Sequence, residues 1–265
     1  MKALVIPSSA RNLLSLVRDV RFLAALGMTR FVGMARLVGV TRLVGVTTLV
    51  GMTAVACSHV PMVSRGLDPN IAVPDSFMVR FETSRGPVDV MAHKDWAPIG
   101  VDRFYTLVGN RYYDDARFFR VVKDFVAQFG LSGDPARTDA WRIRAIADEP
   151  VKHSNSRGTI AYARGGPGTR TVQLFFNLVN NTRLDTLNTL GFPPIAEVIS
   201  GMSAVDSLYN GYGNAAPRSG PTPTASGPQQ DSITRQGNAY LARGWPKLDY
   251  IRKARVIREW RGTSR

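Results

Sequence analysis

The spacing of apolar residues along the chain changes period several times, and those changes mark its elements. Residues 77–83 alternate apolar and polar side chains, Ser84-Arg85-Gly86 supplies turn chemistry, and residues 87–91 alternate again, so a β-hairpin is predicted. Over residues 98–109, Ile99, Val101, Phe104, Leu107 and Val108 recur at helical spacing and Gly109 ends the run, which predicts a short helix. Short apolar runs bounded by Gly, Pro or Asp follow at 118–122, 125–129, 158–163, 172–178 and 195–199. Residues 203–209 read as a second helix and 254–260 as a closing strand. This pattern is that of an all-β barrel or sandwich with few helices.

The N-terminal region follows a different rule. Glycine recurs every six residues at Gly27, Gly33, Gly39, Gly45 and Gly51, within variants of one phrase, as in a short hexapeptide β-helix or a duplicated segment. Too few units are present to stack as a capped solenoid, which leaves duplication as the better reading. Residues 43–56 are uncharged, follow Arg36 and Arg42, and end in Ala54-Val55-Ala56 before Cys57. A basic region, an apolar stretch and small residues in that order read as a signal peptide, too short to span a bilayer as a stable helix. Cysteine directly after the small residues resembles the lipobox of bacterial lipoproteins; plain secretion and a buried structural thiol are the alternatives. Counting from Met34 gives a signal of ordinary length, so translation from Met1 or from Met34 is left open. The expected organisation is a repeat-containing leader at 1–33, a signal peptide at 34–56, a tether at 57–75 and a folded domain at 76–262. Within that domain the Pro/Gly-rich stretch 214–230 is expected to be an exposed loop without a catalytic group.

Composition changes the picture only after this division. The chain has 265 residues, 44% hydrophobic, enough for a buried core. Its net charge of +14 suggests an anionic partner, but seven basic residues against Asp19 put +6 of it before residue 57. The remaining +8 is dispersed and accompanies no nucleic-acid motif, so no nucleic-acid partner is expected. One cysteine excludes an intramolecular disulfide framework, and His59, His93 and His153 are too scattered for a metal site. Neither metal nor cofactor is expected.

The candidate chemistry lies in three blocks. Residues 118–135 contain Phe118, Arg120, Phe125, Gln128 and Gly133-Asp134; residues 158–178 contain Ala163 and Gln173-Leu174-Phe175-Phe176; residues 183–209 form the third. In order and spacing they resemble the cyclophilins, the third block a bacterial variety, over about residues 76–260. The resemblance implies a mainly β fold, a closed eight-stranded antiparallel barrel capped by two short helices. It also implies cofactor-free peptidyl-prolyl cis/trans isomerisation by a monomer acting on proline-containing polypeptides.

The barrier to that reaction, about 18–20 kcal/mol, comes from conjugation across the amide, so a catalyst has to stabilise a twisted amide whose nitrogen can accept a hydrogen bond. The resemblance makes Arg120 the principal catalytic residue, with Phe125 and Gln128 beside it. It implies that Phe125, Val126, Phe175, Leu184 and Phe192 hold the proline ring, that the backbone at Ala163 and Arg164 pairs with the peptide, and that Gln173 lies nearby. Phe118, Phe119 and Phe176 are expected in the core. Arg183 stands where many cyclophilins carry Trp and Phe192 where His is usual, which implies weak cyclosporin binding with activity retained. An exported isomerase, anchored through Cys57 on the periplasmic side of a bacterial membrane or else secreted, is the leading reading. A catalytically weak proline-peptide binding module and an anionic-surface binder are its rivals.

Overall fold

The computed structural model describes residues 72–214 and 227–262. The expected leader, signal peptide, Cys57 and most of the tether fall outside the described residues, as do 215–226 of the expected loop.

Strands β1 (Ser76–Thr83) and β2 (Gly86–His93) form the expected hairpin in register from Ser76 opposite His93 to Thr83 opposite Gly86. Phe77, Val79 and Phe81 of β1 and Val88, Val90 and Ala92 of β2 point inward and are fully buried. Helix α1 (Pro98–Gly109) lays Val101, Phe104, Leu107 and Val108 against this face. Its N-terminus has no capping side chain of its own. Instead the Glu149 carboxylate accepts from the N–H groups of Ile99 and Gly100 at 2.6 and 2.9 Å, supplying negative charge where the helix dipole favours it.

The remaining strands are β3 (Arg120–Val122), β4 (Val126–Phe129), β5 (Thr159–Tyr162), β6 (Leu174–Asn177), β7 (Pro194–Ser200) and β8 (Ile251–Trp260). All eight join one antiparallel sheet in the order β3-β4-β6-β5-β7-β2-β1-β8. The expected closed barrel is corrected here, because no ladder joins β3 to β8. The two ends meet at a single bridge, Arg117 opposite Tyr250, flanked by backbone bonds from Asp115 to Ile251, Ile251 to Ala116 and Phe118 to Asp249. β3 is only three residues long, so it cannot carry a continuous ladder along β8.

Two short helices are also too few. Besides α1, the described residues contain α2 (Pro135–Arg142), α3 (Met202–Asp206), α4 (Gln230–Gly244) and a 3-10 turn, Thr182–Asp185. α2 buries only Thr138 and Trp141, too thin a stripe to show as helical periodicity, although Asp134 caps it by accepting from the Ala136 N–H at 2.9 Å. α4 is broken at Gly237, whose φ of +56° interrupts the period. A Cβ there would also stand 2.0 Å from the Gly133 carbonyl oxygen, so both space and backbone conformation call for glycine. Gln230, assigned to the loop, is the first residue of α4.

Alternation divides the central strands between two tasks. Ala127 and Phe129 of β4, Ile160 and Tyr162 of β5, and Leu174 and Phe176 of β6 belong to the main core, which also takes Phe118. Val126, Ala161 and Phe175, from the opposite face of the same strands, form a separate apolar cluster with Leu184. Phe119 is buried in a third cluster with Ile233 and Leu241 of α4.

Candidate active site

The register of the sheet sets the site in a row. Arg120 of β3 pairs with Gln128 of β4, Gln128 with Phe175 of β6, and Phe175 with Ala161 of β5. With side chains pointing alternately to the two faces, one row delivers a cation, an amide and an aromatic ring to the same side. An open groove of about 910 Å³ runs along it.

Its polar wall is a chain of hydrogen bonds. The Arg120 guanidinium donates from Nη1 to Gln128 Oε1 at 3.1 Å and from Nε to Asn214 Oδ1 at 2.8 Å, while Gln128 Nε2 donates to Gln173 Oε1 at 2.8 Å. Among the described residues, both groups that hold Arg120 are therefore neutral. Burial pulls its pKa below the usual value, yet arginine keeps its charge at any physiological pH. Among the described residues no other acceptor takes its remaining guanidinium donors, and the Phe125 ring in the groove wall lies 5.6 Å from the guanidinium carbon.

The apolar end is lined by Phe125, Val126, Phe175, Leu184 and Phe192. Val126, Phe175 and Leu184 are buried, Phe125 and Phe192 partly so, and the Phe175 and Phe192 rings meet edge-on with centroids 5.8 Å apart. Leu184 comes from the 3-10 turn and Phe192 from the turn behind it, and the Phe192 N–H donates to the Leu184 carbonyl at 2.8 Å. Gly191 shapes this rim, since with φ at +59° a Cβ would stand 2.0 Å from the Asp185 carbonyl oxygen. Burial alone would raise the pKa of Asp185, but hydrogen bonds from the Ser154 hydroxyl and from the Asn155 amide groups outweigh it, and the carboxyl titrates below the usual range.

The residues assigned to peptide pairing also make contacts within the protein. The Ala163 N–H is already used within the sheet, donating to the Gln173 carbonyl at 2.9 Å. Arg164 is not merely a backbone position. Its guanidinium donates to the Gly191 carbonyl at 2.8 Å, stacks over Phe192 at 5.0 Å and lies 3.9 Å from Asp148. Asn214 was missed altogether, in a stretch expected to hold no functional group; no local signal marks a residue that reaches Arg120 from 94 positions away.

The family model for cyclophilin type peptidyl-prolyl cis-trans isomerases matches residues 78–231. The chain belongs to the cyclophilin family. This cyclophilin is 32% identical over 154 residues to peptidyl-prolyl cis-trans isomerase B of Escherichia coli, covering 54% of this chain and 88% of that protein. It is 30% identical over 135 residues to a peptidyl-prolyl cis-trans isomerase of Acinetobacter baylyi, covering 50% of this chain and 72% of the relative. A solved cyclophilin type isomerase of Cryptosporidium parvum covers 68% of this chain and 97% of its own at 18% identity, with a TM-score of 0.48. Membership in the family carries peptidyl-prolyl isomerase activity with it.

Proposed function

We propose that this cyclophilin isomerises prolyl bonds in exported polypeptides, with Arg120 stabilising the twisted amide and the apolar end of the groove holding the proline ring. The observation that carries this reading is the neutral mounting of Arg120. A cation held by amides keeps its field for a substrate, whereas one held by a carboxylate spends it on that partner. Rotation about the prolyl bond breaks conjugation and leaves a lone pair on nitrogen, which a guanidinium N–H can meet. A planar amide offers no such acceptor, so the donor lowers the barrier rather than binding both states alike. Gln128 and Gln173 keep the guanidinium in place, while Phe125, Val126, Phe175, Leu184 and Phe192 remove the ring from water.

Export is supported by the sequence order before the domain: basic, apolar, small residues and then Cys57. In this reading the mature protein begins at an acylated Cys57, on the periplasmic side of a bacterial membrane. Intact mass of the mature protein from its native membrane tests that point, a diacylated Cys57 terminus being the expected result.

The catalytic assignment is tested by the exchange rate of an Ala-Pro tetrapeptide. Arg120→Ala lowers kcat/KM about 100-fold or more, the scale on which one positioned transition-state donor matters. An unchanged rate would refute the role of Arg120.

A further inference from the structure

Beside Phe125, at the apolar end of a groove that Arg142 and Arg164 also line, stands a further cation that rotation about the prolyl bond does not require. Arg183 is exposed on the 3-10 turn, one residue before Leu184 of the apolar pocket. Its guanidinium carbon lies 4.7 Å from the Phe125 ring centroid, and that of Arg120 lies 5.6 Å from the same centroid. Two positive charges on one ring are thus separated by no more than about one Debye length at 0.1 M salt, ~10 Å, so each feels the other. Among the described residues neither has a carboxylate at ion-pair distance. Arg120 is held by amides, and Asp185, on the same turn as Arg183, is committed to Ser154 and Asn155. Asp124, the neighbour of Phe125 in sequence, is exposed and makes no ion pair with Arg120 or Arg183.

We propose that this end of the groove selects prolines flanked by an acidic side chain, and that Arg183 is the specificity-determining residue. The inference rests on the proline pocket assigned above. A peptide carboxylate would supply the counter-charge that no described residue brings to Phe125, and a basic flank would add a third like charge there. Stacking restrains the Arg183 side chain beforehand, so less rotamer freedom is lost when the carboxylate arrives. A residue that only shielded Phe125 from water would be indifferent to peptide charge.

The test is a set of tetrapeptides with Glu, Gln or Lys placed on either side of proline. Exchange rates and affinities by NMR titration are measured for the wild type, Arg183→Gln and Arg183→Glu. At about 0.01 M ionic strength the wild type prefers Glu over Gln at one flank by up to about fivefold, the range of an exposed ion pair, and the preference fades near 1 M salt. Arg183→Gln abolishes the preference and Arg183→Glu turns it toward Lys. Isomerisation of the Gln peptide reports on the proposed catalytic site alone, and the Glu-to-Gln ratio in affinity reports on the inference even where rates fail. The same ratio in wild type and Arg183→Gln, or no preference at either flank, would overturn it.

Discussion

Arg170 is fully buried and Arg120 is half-buried at the edge of the groove, and the fold treats them in opposite ways. Arg170 is fully buried, donates to the Glu149 carboxylate at 2.9 Å and to the Ala147 carbonyl, and has Asp148 at 3.6 Å. Glu149 also caps α1, so this network ties the loop before β6 to the first helix. Arg120 is held at similar distances by Asn214 and Gln128, which carry no charge. Burying a cation without a counter-ion is costly, and structure alone would favour the Arg170 solution. The Arg120 solution makes sense where the missing negative charge is that of a substrate lone pair developing during reaction.

Exchanging the two arrangements sharpens the contrast. Glu149→Gln replaces the nearer of Arg170's two carboxylates by a neutral acceptor, leaving Asp148 at 3.6 Å. The account expects a loss of about 3 kcal/mol and a fall of roughly 10 °C in Tm by calorimetry, with activity per folded molecule retained. The reverse change, Asn214→Asp, gives Arg120 a carboxylate like that of Arg170. Its kcat should drop about tenfold while Tm holds, because the ground state gains an interaction that the twisted amide must compete with.

Asn214→Ala loses only the hydrogen bond, and a fall of about threefold in kcat with KM little changed is expected. An equal effect of Ala and Asp in stopped exchange assays would remove the argument from charge. The smallest effect concerns the rim. The depressed pKa of Asp185 stabilises the fold above the ordinary aspartate pKa of about 3.9, and that contribution disappears as pH falls through its lower folded value. Asp185→Asn should therefore flatten the acid limb of the unfolding free energy, read from urea titrations, by less than about 1 kcal/mol, screening by solvent having reduced the gain.

Legibility in the sequence followed the range of the interactions. The hairpin at 76–93, helix α1 and the short strands obey local periodicity, and they could be placed within a few residues. Arg120, Phe125, Gln128, Gln173 and Phe175 lie in family blocks, and strand register then brings them to one groove. α2 left one usable signal, Asp134 before Pro135, which is an N-cap followed by proline at the first helical position. α4 left none, since Gly237 shifts its period midway. The open end of the sheet and the contacts of Asn214 and Arg164 depend on how distant segments meet, which no local pattern records.

The central claim is that Arg120 acts on the twisted amide and not on substrate binding. The direct measurement is the exchange rate of an Ala-Pro tetrapeptide at saturation, taken together with its Kd, in wild type and Arg120→Ala. The account predicts a saturated rate lower by about 100-fold with Kd changed by less than about threefold. A weakened Kd with the saturated rate preserved would contradict it, since Arg120 would then bind planar and twisted amides alike.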